Sequence, residues 1–465
     1  MAKRSNNLYF VLVLLLGGFL SAMTETIMNN SLTTIMDELY VTETTAQWLS
    51  TGYIMVVGIM MPISVYFLKR FSLRQLFPTA LAIFLLGTIV GAIAPNFTIL
   101  LLGRLIQAIA VGIIMPLVQN LMVLLFPPSK RGFAMGMSSV VIILGPAIGP
   151  TLSGWIVEHY SWRMLFQFLI PLTIIILIFS IIYTKNVTEQ SAVDLDWWSV
   201  GESSIGLGLL LYGFSRIGTV ANIDLISAIG LLVGITFLII FVKRQLRLKS
   251  PLLEMRVFKS PSFTKTTILS AITSIAMLGA ELIIPLYIQN VRGESALISG
   301  LLLLPGALIM IIVSPISGTL YDRYGIRKLS ITGFTILTLA SIPMIWFDQS
   351  TSLWWIAFLY TVRMIGIGLV IMQLNTAGVN ALPERYTLHG NTVAATIRQI
   401  VSSLGTSLLV TIAALFSTTA QSKEISKISA LQIGYSWSFI TIAVVSFICL
   451  LATFTLKNKT SAEIK

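Results

Sequence analysis

The sequence predicts an all-α polytopic membrane protein with fourteen spanning helices, arranged as two six-helix halves with an extra helix pair between them. Three observations predict it. Of the 465 residues, 56% are hydrophobic and only 10% are charged, with a mean hydropathy of +0.90, whereas a soluble domain is usually about 25% charged. Fourteen apolar runs approach or exceed the ~20 residues needed to cross a bilayer. Short segments recur at nearly equal spacing, which indicates an internal duplication.

The runs fall at about 8–28, 46–68, 76–94, 98–125, 133–157 and 164–184, then 199–217 and 222–242, then 262–288, 296–320, 328–347, 353–380, 390–417 and 434–456. The first follows Lys3-Arg4 and imitates a secretory signal; its length and the spans after it read as an uncleaved first helix. Placing the N-terminus inside puts 22 Lys and Arg in cytoplasmic segments, 5 in outer segments (Arg163, Arg216, Arg292, Lys423, Lys427) and 3 within spans. That bias supports an even number of spans with both termini cytoplasmic. It also accounts for the net charge of +12 without invoking nucleic acid.

The duplication appears in three places. Val65–Arg74 (VYFLKRFSLR) and Gly318–Arg327 (GTLYDRYGIR) lie 253 residues apart, each after the second span of a group of six. Arg104 and Arg363 occupy the two fourth spans, 259 apart, and Glu25 and Glu281 the two first spans, 256 apart. Two parallel six-helix repeats follow: residues 1–185 form the first half, 186–250 the inserted pair with its flanking loops, and 251–465 the second half.

The single cysteine, Cys449, excludes an intramolecular disulfide and a cysteine-based metal site; in an apolar run it reads as a small buried hydrophobe. His159 and His389 match no ligand spacing and read as loop or helix-end residues. No metal site or cofactor is expected.

Gly318, Asp322, Arg323, Gly325 and Arg327 form a tight basic loop. Glycine permits the turn, and Asp322 is placed to accept from helix-end amides or pair with an arginine, holding the cytoplasmic ends together. The first-half copy has Lys69 in place of Asp322 and Ser72 in place of the glycine, so that half-gate is expected to work differently. In the fifth span, Gly145-Pro146 and Gly149-Pro150, with Gly154, combine close helix approach with backbone bending. Such a helix is expected to flex at the interface between the halves.

These motifs resemble those of the major facilitator superfamily. The loop is similar to its signature loop and the fifth-span run to its antiporter motif. Ser161-Trp162-Arg163-Met-Leu-Phe166, with Pro171, resembles the SWRWxF signature of fourteen-span drug:proton antiporters. Pro251–Phe258 resembles their hydrophilic linker, and Thr24–Asn29 their first-span motif, in which Asp is usual where Glu25 stands. Leu169 stands where the family often has Asn. The resemblance covers nearly the whole chain. It implies a bacterial multidrug efflux transporter of the cytoplasmic membrane, with the proton as coupling ion.

Charges inside the spans are the sharpest chemical signals. An acid at the centre of a spanning helix costs roughly 2.5–3.5 kcal/mol by analogy with the Asp value, and marks function by default. Glu25 lies about 3 residues from the outer end of its run and Arg104 about 6, so at ~1.5 Å per residue their depths differ by about 5 Å. A salt bridge or a water-linked pair is feasible. A carboxyl balanced between burial and a nearby guanidinium loads and releases protons near neutral pH. Arg104 with Gln107 also resembles the superfamily's fourth-span basic motif, which implies proton transfer. The repeat puts Glu281 across a central cavity from Glu25, where it would bind a cationic drug, carry a second proton or pair with Arg363. Arg398 would line the cavity or reach inward. Asn29, Gln47, Gln373 and Asn375 are weaker polar candidates for the lining, and Trp48, Tyr53 and Gln289 aromatic or polar ones.

The leading expectation is proton-coupled efflux of hydrophobic or cationic compounds by alternating access. A proton-linked exporter or symporter of a lipid-like or other endogenous solute is the alternative. An enzyme is disfavoured because the two lone histidines form no catalytic constellation, and a sensor because no loop offers room for an output domain. Nucleotide hydrolysis is disfavoured because no GxxxxGK[ST] occurs. The expected partners are small molecules and the bilayer, with no obligate protein partner.

Overall fold

The computed structural model describes residues 2–456 apart from 29, 30, 42, 47, 128, 129, 188, 189, 191–194, 221, 222, 249, 250 and 422–424. The described residues form sixteen α-helices joined by short connections, without a strand. In chain order they are α1 (Ala2–Thr26), α2 (Leu32–Leu39), α3 (Glu43–Ala46), α4 (Trp48–Arg70), α5 (Leu73–Ala92), α6 (Phe97–Leu125), α7 (Arg131–His159) and α8 (Arg163–Tyr183). They continue with α9 (Trp197–Val220), α10 (Leu225–Arg247), α11 (Pro261–Asn290), α12 (Ala296–Tyr324), α13 (Ile326–Ser341), α14 (Leu353–Asn380), α15 (Thr387–Gln421) and α16 (Lys427–Thr453).

Each apolar run of the sequence is a helix of 16 residues or more. Among the described residues, twelve helices are long and apolar enough to cross a membrane; α7 and α9 lie outside that set. Polar residues close several helix starts: Asn96 Oδ1 accepts from the Ile99 amide at 3.0 Å and Ser295 Oγ from the Ile298 amide at 3.2 Å, satisfying donors that have no intrahelical partner.

The interior is built in two parts. One buried cluster draws on α1, α4, α5, α6 and α8, around Phe77, Phe84 and Phe166. The other draws chiefly on α11 to α16, around Tyr287, Phe334 and Phe439. The same device recurs in both: α5 meets α6, and α13 meets α14, at glycines. A Cβ on Gly103 would stand 2.9 Å from the Gly87 carbonyl oxygen, and one on Gly366 would stand 2.7 Å from that of Gly333. Small residues let the backbones approach this closely, and dispersion rather than water exclusion rewards it inside a membrane.

The halves meet along two seams. On one side α7 packs along α12 and also touches α14; on the other α15 packs on α4 and α6. These are equivalent pairs under the repeat. The α9–α10 hairpin covers the second seam, with α9 against both α4 and α15. The outer face of α10 leaves Leu225, Ile229, Leu232, Ile235 and Ile239 exposed, a surface suited to lipid.

Ion pairs pin both ends of this hairpin. Arg244 grips Asp196 with two bonds of 2.8 and 2.9 Å, and Arg216 reaches Asp224 at 2.6 Å. Arg244 holds the Asp196 carboxyl below its ordinary range, and Arg216 with the Ser227 amide does the same for Asp224. A depressed carboxyl keeps its stabilising charge above the unfolded-state value and loses it only as pH falls through the folded one. The two helices of the hairpin are therefore expected to stay clasped to one another from neutral pH to below the ordinary aspartate value of ~3.9. Fluorescence of the exposed Trp197 and Trp198, followed during acid titration, checks it; a transition above pH ~5 would contradict the sign.

Candidate functional site

Glu25 is the second-last residue of α1. Its side chain is partly buried, and its Oε1 accepts a hydrogen bond of 3.0 Å from Gln399 Nε2 on α15. One carboxylate thus joins the two halves. Counting along the first run puts Glu25 near the outer mouth, but the structure seats it against the thirteenth of the 35 residues of α15, in that helix's middle third. The reason is that α1 ends inside the bundle and the chain continues through α2. Helix α7 holds this end of α1: a Cβ on Gly145 would stand 2.5 Å from the Met23 amide, and one on Gly149 2.7 Å from Thr26 Oγ1. These two fifth-span glycines face α1 within their own half, while Gly136 of the same helix meets Ser314 of α12 across the seam. The side chains of Pro146 and Pro150 lie outside the described residues.

Glu281, on α11, is partly buried, and its Oε1 has no hydrogen-bond partner. It lies within electrostatic range of Glu25, so the structure brings the two repeat-related carboxyls together. Neither forms an ion pair among the described residues.

The two repeat-related arginines do something other than the pairing foreseen. Arg104 is fully buried; its Nη1 donates to the Thr24 carbonyl and to Gln107 Oε1, each at 3.1 Å, and its guanidinium lies 4.0 Å from the Tyr53 ring centroid. Gln107 in turn donates to Thr88 Oγ1 at 2.9 Å. Arg363, also fully buried, donates to the Ala276 carbonyl at 2.8 Å and to Ser341 Oγ at 2.9 Å. Each arginine thus rivets its fourth-span helix to the first-span helix of its own half. Arg104 bonds the backbone beside Glu25 and lies within electrostatic range of its carboxylate without a direct ion pair, and no bond joins Arg363 to Glu281 among the described residues.

Several other candidates are sealed inside packed helices: Tyr53 and Gln373 are fully buried and Asn375 is 2% exposed. Gln373 donates to Ser317 Oγ. Trp48 stacks on Tyr212 of α9 at 5.5 Å and so faces the hairpin. Gln289 donates to Ser299 Oγ near the α11–α12 connection. Asn29 and Gln47 lie outside the described residues. Sequence reasoning missed Gln399 and a chain of buried amides crossing the seam. In that chain Asn375 donates to Asn391 and Asn391 to Asn120, both at 2.7 Å, and Asn120 to Thr392 Oγ1 at 3.1 Å. The signal was present: uncharged polar residues in apolar runs need partners too.

The basic end of the bundle carries the loop motif. Asp322 lies against the first turn of α7, its Oδ1 2.6 Å from where a Cβ on Gly132 would stand, a place where a carboxylate is favoured by free N–H groups and the helix dipole. This contact crosses the seam. Gly325, at φ 77°, makes the turn that only glycine adopts freely, and Arg323 projects outward over Tyr324. At the repeat-related position Lys69 cannot accept from amides. Its Nζ instead lies 2.7 Å from Nε2 of His389, the third residue of α15 and only 6% exposed. His389 is a helix-end residue, one of the two expectations from sequence, and it also sits at the seam. Replacing it with Leu would strand a partly buried ammonium, and the lost charged hydrogen bond is expected to cost ~1.5–3 kcal/mol. Thermal unfolding of the purified protein reads this, and Gln at 389, whose oxygen still accepts, should recover most of the loss.

Two helical bodies with ionisable groups at their seam, and close contacts across one rim, are the architecture of a multi-pass membrane transporter. Residues 14–406 match the model of the Major Facilitator Superfamily, and the chain belongs to that family. It is 44% identical over 456 residues to the uncharacterized MFS-type transporter YcnB of Bacillus subtilis (strain 168), spanning 98% of this chain and 96% of that one. It is 37% identical over 457 residues to the lincomycin resistance protein LmrB of the same organism, spanning 96% and 95%. Among solved structures it resembles the human organic anion transporter MFSD10 (TETRAN), with a TM-score of 0.66 at 14% identity over 96% of this chain and 99% of that one, a likeness of fold.

Proposed function

We propose that this transporter exports hydrophobic or cationic small molecules across the cytoplasmic membrane in exchange for protons, by alternating access. The observation that carries the reading is the bond from Gln399 to Glu25, within range of Glu281. It places a protonatable group of one half in direct contact with the other. Proton loading at Glu25 then alters a contact that must break when the halves rock about a central site. Lincomycin resistance, for which one full-length relative is named, supports a drug-like substrate.

The proposal includes fourteen spans, with α9–α10 as a pair inserted between halves 1–185 and 251–465, and both termini cytoplasmic. In that orientation the basic end of the bundle faces the cytoplasm, consistent with positive residues favouring that side. No cofactor other than the proton is required.

The test is substrate-driven proton movement in everted membrane vesicles carrying the protein. Lincomycin or ethidium added to energised vesicles is expected to dissipate the pH gradient. Substrate movement that ignores the gradient would sink the coupling, and no movement of either compound would sink the drug assignment.

A further inference from the structure

The three intramembrane arginines differ in one respect. Each of the three has one buried terminal nitrogen without a partner among the described residues, but Arg104 and Arg363 are wholly sealed, each held by at least one backbone carbonyl and a polar side chain. Arg398, on α15, is partly exposed at the seam, and its one hydrogen bond among the described residues runs from Nη2 to Gln119 Oε1 of α6, at 3.2 Å. Its Nη1 is buried without a partner. Among the described residues no carboxylate forms an ion pair with it. A guanidinium stays protonated in proteins, so a cation stands inside a membrane helix with a single neutral acceptor. Such a group pairs with an anion or faces a water-filled path.

Its position says what kind of anion. The next residue, Gln399, bonds the Glu25 carboxylate, so an uncompensated cation and a carboxylate flank one stretch of α15. Adjacent buried amides of Asn120 and Asn391 bond one another across the seam, which leaves Arg398 as the free charged donor there. The planar fork of arginine matches carboxylate and phosphate oxygens.

We propose that Arg398, backed by Gln119, is an anion-binding subsite that takes the carboxylate or similar acidic group of an amphipathic substrate. Compounds carrying an acid as well as an apolar or basic part then belong to the substrate range. The inference rests on the reading of the seam as the substrate path, but needs neither proton coupling nor drug export.

The test is equilibrium binding to purified full-length protein in phosphatidylcholine nanodiscs, using 2-naphthoate and its neutral counterpart 2-naphthamide. Wild type is expected to prefer the carboxylate by about tenfold or more, the weight of one charge-assisted hydrogen bond. Arg398→Gln should remove that preference while leaving naphthamide binding unchanged, and Arg398→Lys should keep part of it. Arg398→Gln should also unfold no earlier than wild type, because it removes an uncompensated charge. Equal binding of the two probes by wild type, or a preference that survives Arg398→Gln, overturns the proposal. Displacement of naphthoate by phosphatidylglycerol in the discs would assign the subsite to a lipid headgroup and overturn the substrate assignment. Because binding is read without transport, failure of the vesicle assay and failure of this subsite are separate outcomes.

Discussion

Glu25→Gln is expected to reduce gradient-driven export to the background of vesicles lacking the protein. The substitution preserves shape, and the new side-chain oxygen can still accept from Gln399, so the bond between the halves at 3.0 Å and the packing of Gly145 and Gly149 on α1 remain. What disappears is the proton. A neutral residue holds Glu25 permanently in the equivalent of its loaded state, and an exchanger that cannot unload completes only half its cycle. Substrate binding and exchange without net proton movement should therefore persist. Glu281→Gln separates the roles of the two carboxyls. If Glu281 receives a cationic substrate group, its loss should weaken ethidium binding and leave the transport of neutral compounds coupled. Measuring proton flux and ethidium affinity on both variants decides between these assignments. Normal coupling in Glu25→Gln would remove Glu25 from the mechanism.

Gly318→Val is expected to open the basic end of the bundle. A Cβ at Gly318 would overlap the Gly132 carbonyl and stand 2.6 Å from Phe133 Cα, while one at Gly132 would meet the Gly318 oxygen at 2.8 Å and Asp322 Oδ1 at 2.6 Å. The obstacles are backbone atoms on both helices, which cannot turn aside as a side chain does. Overpacking of this kind costs ~1–3 kcal/mol, which moves a two-state equilibrium by roughly 5- to 150-fold. The bulk also pushes α7 away from Asp322. Spin labels at Arg74 and Arg327, in a protein whose buried Cys449 is replaced by Ser, should report a longer separation in Gly318→Val than in the parent. An unchanged distance distribution with normal transport would mean that the α7–α12 contact does not gate access.

The extent to which the sequence anticipates this molecule follows from which interactions are local. Hydropathy and basic loops act on each segment separately, so the helices, their order and the duplication of Glu25, Arg104 and the basic loop are readable along the chain. That Asp322 would meet the other half was readable as one of two options, helix-end amides or an arginine, and it lies against Gly132 of α7. The partners of the charged residues were not readable, because they are chosen between helices hundreds of positions apart. Arg104 anchors on a backbone carbonyl, which leaves no mark in sequence. Glu25 sits deeper than its distance from the end of its run suggests, because α1 ends within the bundle. Lys69 finds His389 across 320 residues, and Gln399 finds Glu25 across 374.

By itself the sequence determined a membrane protein of duplicated helices with acids placed where lipid would reject them. Only the tertiary structure decided which of its charges are riveted into packing and which stand open at the seam. The reason is physical: a buried charge must be satisfied by whatever packing brings within about 3 Å, and that is a property of the assembled helices rather than of any one of them.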